Sequence, residues 1–131
     1  MVNFVVDTSI FIEYIRRGEI LPSLIKWASK GERKLVVPVV VVGELLAGKS
    51  MKTEKFRREL VSMFKGMEIV DINVSIAAKY GEIRRKEQAF GNDAWIAASC
   101  LVKKAKLATL NKKHFEKVRG LKMYNGKDET L

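Results

Sequence analysis

The chain has 131 residues, 47% of them apolar and 31% charged, with two prolines and one cysteine. That profile fits a single folded domain spanning residues 1–131 and excludes a disordered chain and an internal disulfide framework. Twenty-five basic against fifteen acidic residues give a formal charge of +10, which points to a polyanionic partner, RNA or DNA first, although a lysine-rich surface also serves solubility.

From the N-terminus, Val2 to Val6 reads as a buried strand and Thr8 to Arg16 as a short helix ended by Gly18. Ile20 to Lys30 is a second helix, with Pro22 in the first turn where its missing N–H costs little. Leu35 to Val37 is a short strand, and Pro38 restarts the chain into a helix from about Val40 to Ala47. Lys52 to Lys65 is an amphipathic basic helix with Phe56, Leu60, Met63 and Phe64 at helical spacing. Glu68 to Asp71 is strand-like, and Asn73 or Ser75 caps a helix running to about Lys86. Asn92 and Asp93 precede the apolar helix AWIAASCLVKK. Lys106 to Thr109 is a strand, Asn111 to Lys117 a short helix and Leu121 to Tyr124 a last strand. Alternating strands and helices imply an α/β fold, a mostly parallel sheet with helices on both faces. Ligand sites in such sheets lie at the carboxyl ends of the strands. No secretory signal is visible and no apolar run nears the ~20 residues that span a bilayer, so a soluble cytoplasmic protein with no membrane partner is expected.

Three acids stand in apolar company. Asp7 ends the first strand, where it serves equally well as a helix cap. Glu44 is the only charge in PVVVVGELLAG; a carboxylate among apolar neighbours is costly unless paired or metal-bound, which favours function. Asp93, in FGNDAWIAASC, is either a cap or a carboxylate held rigidly at the start of a buried helix. Acids brought to one sheet edge repel one another, and a divalent cation removes that penalty; hard oxygen ligands suit Mg²⁺ or Mn²⁺. One histidine and one cysteine, far apart, make no ordinary zinc site. Cys100 reads as a small core hydrophobe. Carboxylate-held Mg²⁺ beside a basic surface suggests phosphodiester chemistry.

The blocks VVDTSIFIEYI, VVGELLAG, GNDAWIAAS and LATLNKKHF, in that order over essentially the whole chain, resemble the PIN-domain ribonucleases, and in particular the VapC toxins of toxin–antitoxin pairs. The resemblance implies a three-layer α/β/α fold and metal-dependent endonucleolytic hydrolysis of RNA. It makes Asp7, Glu44 and Asp93 the acids that bind Mg²⁺ or Mn²⁺. Asn111 stands where many relatives carry a fourth acid; its amide oxygen can still ligate or orient a water but adds no charge, which favours one metal over two. The resemblance also implies a cognate VapB-like antitoxin across the acidic cleft and a homodimer.

Thr109 is a candidate to hydrogen-bond water or phosphate, or an ordinary strand residue. Lys112, Lys113 and His114 follow Asn111 and are candidates for RNA contact, as are Arg84, Arg85 and Lys86; a solvated face is the plainer reading for each. From Lys103 to Lys127 there are nine basic residues against one acid, Glu116. Trp27, Phe90 and Trp95 can stack on bases, but core packing is expected for at least two of them. The helix bearing Phe56, Leu60 and Phe64 offers an apolar face to a second copy, the antitoxin or the core. Two other readings stay open: a PIN-like module that binds RNA or protein without cutting, and a PIN nuclease for RNA maturation.

Overall fold

The structure is a computed structural model and describes residues 2–48 and 52–124. Its sheet is built from β1 (Val2–Val6), β2 (Arg33–Pro38), β3 (Glu68–Val70) and β4 (Lys106–Ala108), in the order β3-β2-β1-β4. All three pairings are parallel. Phe4, Val5, Val6, Val36 and Val37 are fully buried. Strands covered on both faces lack the polar-out alternation of a half-exposed sheet, which is why Phe4–Val6 of β1 and Leu35–Val37 of β2 read as unbroken apolar runs.

Six helices surround this sheet among the described residues: α1 (Thr8–Arg16), α2 (Ile20–Ser29), α3 (Val39–Ala47), α4 (Glu54–Phe64), α5 (Val74–Arg85) and α6 (Gly91–Lys103). α2 and α3 pack on β2, α6 packs on β1, α5 lies against α6, and α1 contacts both α2 and α3. The result is a three-layer α/β/α arrangement, as the alternating pattern implies. Two helix starts are set locally: Thr53 Oγ1 accepts the Phe56 N–H at 3.4 Å and Asn73 Oδ1 accepts the Ile76 N–H at 2.9 Å. Asn73, rather than Ser75, is therefore the cap of α5.

The connectivity positions the site. From β1 the chain moves outward to β2 and β3, then returns as β4 on the other side of β1. Strand order reverses between β1 and β4, and the crevice outside the carboxyl ends of such a pair is where open α/β sheets bind ligands. The Asp7 N–H donates to Ala108 O at 3.0 Å and holds the two strand ends together.

Several boundaries differ from the sequence expectation. Leu121 to Tyr124 does not form a strand; it contributes one parallel bridge, Met123 to Leu107, with Leu107 donating to Lys122 O at 2.9 Å and Tyr124 donating to Leu107 O at 2.8 Å. Asn111 to Lys117 forms only a 3-10 turn, Lys112–His114. α6 begins at Gly91, whose φ of +55° suits a residue without Cβ, so Asn92 and Asp93 lie inside the helix and do not cap it. Lys127 of the basic run lies outside the described residues.

Trp27 packs edge-on to Phe4 with ring centroids 4.8 Å apart, and Trp95 stacks on Tyr80 at 3.8 Å; Phe90 is 60% exposed. Leu60 and Phe64 of α4 are buried in the chain's own core, while Phe56 is partly exposed. The Cys100 thiol is buried, and burial first, then the nearby Asp7 charge, push its pKa far up, as befits a core residue. No helix among the described residues is long and apolar enough to cross a membrane.

Ile96 on α6 is fully buried, so Ile96→Ala should lower unfolding stability by about 2–5 kcal/mol in a urea melt. An unchanged midpoint would show that α6 does not pack on the sheet as described.

Candidate functional site

A cavity of ≈ 590 Å³ opens at the carboxyl ends of β1 and β4, and Asp7, Glu44, Asp93 and Asn111 all line it. Four different stretches deliver them. Asp7 ends β1, Glu44 comes from α3, Asp93 from the first turn of α6, and Asn111 from the segment after β4. The volume lies within the range of roughly 300–1,000 Å³ common for ligand sites.

Asp7 is the most constrained of them, at 3% exposed. Its Oδ2 accepts hydrogen bonds from Ser9 Oγ at 2.8 Å and from Thr109 Oγ1 at 2.6 Å. Both hydroxyls are also acceptors: Ser9 Oγ takes the Leu110 N–H and Thr109 Oγ1 takes the Asn111 N–H, each at 3.0 Å. Asp7 sits at the N-cap position of α1 but its side chain makes no capping hydrogen bond. The capping alternative fails because the two hydroxyls claim Oδ2, while Oδ1 takes no hydrogen bond among the described residues. Thr109, buried itself, belongs to this scaffold of Asp7.

Glu44 is half-buried, and its Oε1 accepts a hydrogen bond from Thr8 Oγ1 at 2.8 Å. The expected apolar surroundings are present on one side only: an adjoining cavity of ≈ 360 Å³ places Ile12, Ile15 and Leu45 beside it, with Thr8 and Arg16 completing the wall. Helix α3 thus points its one acid at the cavity rather than into the core.

Asp93 meets the single histidine, His114 Nδ1 lying 3.3 Å from Asp93 Oδ2. The Asp93 pKa is raised above its ordinary 3.8, first by burial and next by the negative charge of Asp7; Glu44 adds to the rise and His114 opposes it. Asp7 and Glu44 are thus close enough to Asp93 to repel it, which is the mutual penalty expected of acids gathered at one edge.

The donor chemistry fits a hard divalent cation: carboxylate oxygens and an amide oxygen, with no sulfur. Among the described residues, however, no three His, Cys, Asp or Glu side chains converge tightly enough to hold an ion as they stand. The acids share a cavity wall without forming a closed cage.

Other residues around the cavity were not anticipated: Thr8, Ser9, Glu13, Arg16 and Arg17 line it from α1 and its end. His114, a candidate from its place after Asn111, does line it. Glu13 is a fourth carboxylate there, but its Oε1 accepts the Ile20 N–H at 2.8 Å and so anchors the start of α2. Lys112 and Lys113 are exposed and do not line the cavity. Neither does Arg84, which lies over the Phe90 ring at 5.4 Å, nor Lys86, which pairs with Glu82 at 3.1 Å.

Comparison with known proteins places the chain in a family. The family model for the PIN domain matches residues 4–121. Ribonuclease VapC1 of Methanocaldococcus jannaschii is 31% identical, the match covering 94% of this chain and 88% of that protein. VapBC2 from Rickettsia felis, solved bound to a DNA fragment from its promoter, matches with a TM-score of 0.79 at 23% identity over 94% of this chain and 98% of that one. VapBC-1 from nontypeable Haemophilus influenzae matches at 0.78 and 23%, over 94% and 97%. The chain belongs to the PIN-domain family, in its VapC branch.

The Asp93 shift carries a sign for stability. A carboxyl whose pKa is higher folded than unfolded makes the native state bind more protons, so its contribution falls as pH rises through the carboxylate range. In EDTA-treated buffer, Asp93→Asn should melt at a higher temperature than the wild type at pH 7, and the gap should shrink as pH falls through the raised Asp93 pKa and be gone below the ordinary 3.8. A gap that ignores pH, or that favours the wild type, would contradict the assigned repulsion.

Proposed function

We propose that this PIN-domain chain is a metal-dependent endoribonuclease, the toxin of a VapBC-type pair, which hydrolyses RNA phosphodiester bonds. The observation that carries the reading is the shared cavity of Asp7, Glu44 and Asp93 at the strand-order reversal. The identity with a ribonuclease VapC and the charge of +10 support RNA as the substrate.

Asp7, Glu44 and Asp93 would hold Mg²⁺, or Mn²⁺ in its place. When bound, such an ion acidifies water, neutralises phosphate oxygens and offsets the repulsion among the acids. The chain's own residues do the rest. Ser9 and Thr109 fix the Asp7 carboxylate through Oδ2 and leave Oδ1 without a hydrogen bond among the described residues. Glu44 and Asp93 are only half-buried and keep the side-chain freedom to close on an ion. Asn111 orients water or phosphate through its amide without adding charge. Three carboxylates and one amide balance one divalent ion better than two, and Glu13 is committed to α2. Basic side chains at the cavity edge hold the phosphate backbone.

The VapBC relatives support a VapB-like antitoxin as the partner that restrains the toxin, and a homodimer in the cytoplasm completes the same reading. Asn111 and the unconverged acids favour one alternative, a PIN-like module that binds RNA without cutting it.

Asp7→Asn and Asp93→Asn should each lower Mg²⁺-dependent RNA cleavage by at least about 100-fold, since even outer residues around a metal ligand cost about 10–100-fold. Both variants should keep the wild-type circular dichroism spectrum. Cleavage should stop with EDTA and return with Mn²⁺. Tight RNA binding without cleavage by the wild type would select the binding module instead.

A further inference from the structure

The acid-lined cavity has to receive a polyanion, and four carboxylates, Asp7, Glu13, Glu44 and Asp93, stand on its wall. Even with one divalent ion in place, a phosphate backbone entering there needs positive charge from the protein. The lysines that follow Asn111 do not supply it, because neither lines the cavity. Arg16 and Arg17 do. Both lie at the end of α1, Arg16 in its last turn and Arg17 at its C-cap, and both are on the cavity wall and exposed.

Their position is also a junction. Arg16 lines the acidic cavity, the adjoining ≈ 360 Å³ space beside Glu44 and a third space of ≈ 420 Å³ that runs past Tyr14 to Phe56 and Leu60. Arg17 lines the first and the third. A strand longer than one nucleotide that leaves the acidic cavity passes Arg16 by either route, and passes Arg17 as well by the route toward Phe56. Among the described residues neither guanidinium makes a hydrogen bond or an ion pair, so neither is committed to the fold. A cation at a helix C-terminus is favoured by the helix dipole, which accounts for one basic residue there. It does not account for two arginines together on the wall of a cavity of carboxylates. Guanidinium is suited to phosphate because its planar fork offers paired N–H donors that match two phosphate oxygens.

We infer that Arg16 and Arg17 are substrate-positioning residues that clamp RNA phosphates at the mouth of the acidic cavity, an assignment that rests on the ribonuclease reading. They touch phosphates flanking the cleaved bond and take no part in its hydrolysis.

The test is binding of a fluorescein-labelled mixed-sequence single-stranded RNA to the full chain in EDTA, followed by anisotropy across a salt series. Each phosphate contact adds about 0.7 to the slope of log affinity against log salt for a single strand. Arg16→Ala and Arg17→Ala should each lower the wild-type slope by about 0.7 and the double variant by about 1.4, with melting temperatures unchanged because both side chains are exposed. Arg16→Lys with Arg17→Lys should keep the slope, since charge is retained, and weaken affinity, since the fork is lost. A double-alanine slope equal to the wild type's overturns the assignment and leaves the pair to a protein partner. A slope lowered in the alanine variants with no wild-type cleavage in Mg²⁺ sinks the nuclease reading alone and leaves the phosphate contacts standing; wild-type cleavage in Mg²⁺ with an unchanged double-alanine slope sinks the clamp alone.

Discussion

The hydrogen bond from Thr109 Oγ1 to Asp7 Oδ2, 2.6 Å long between residues 102 apart in the chain, joins the first strand to the last. It forms only when β4 lies parallel to β1 in register, Val6 opposite Ala108, so it reports the whole topology in one contact. A carboxylate 3% exposed is costly to desolvate unless hydrogen-bonded donors replace the lost water. Two hydroxyls do this on one oxygen, and the same hydroxyls accept the amides of Leu110 and Asn111. The loop that presents Asn111 is therefore shaped by the residues that hold Asp7, and the two site residues are positioned together.

Around that fixed charge the electrostatics are those of a concentrated negative centre in a positive protein. Two groups on α6 register Asp7 independently: the Asp93 carboxyl and the Cys100 thiol are both pushed up in pKa, burial being the first cause in each and Asp7 the second. Field lines in a low-dielectric crevice are poorly screened, which is why a half-exposed acid on a neighbouring helix responds. A fold that keeps three acids in this relation carries a repulsion that His114 offsets only in part, although the chain as a whole is strongly basic.

Much of this was legible before any coordinates. The apolar runs Phe4–Val6 and Leu35–Val37 announce a sheet buried on both faces, and the three acids stand out because each interrupts or borders apolar sequence. What was not legible depends on contacts distant in sequence. A threonine and a serine after Asp7 look like helix caps, and only the arrival of Thr109 and the Leu110 amide shows what Ser9 does. Along α1, Ser9, Ile12, Glu13 and Arg16 recur at helical offsets and share a face, yet what that face meets depends on α2 and α3, which pack against α1 from distant sequence. Lys112 and Lys113 were placed near the cavity because they adjoin Asn111. The turn there is 3-10, with three residues per turn, so Asn111 and His114 share the cavity side while the lysines between them face solvent. The expected strand from Leu121 to Tyr124 shrinks to one bridge, Met123 to Leu107, beside the three-residue β4.

Calorimetric titration of Mn²⁺ into metal-stripped protein tests the shared acidic centre most directly, because it needs no RNA and no assumption about the reaction. Saturable binding in the wild type that weakens at least about 10-fold in each of Asp7→Asn, Glu44→Gln and Asp93→Asn is the expected result. Binding that is equally tight in all three variants would place the ion elsewhere and contradict a common site.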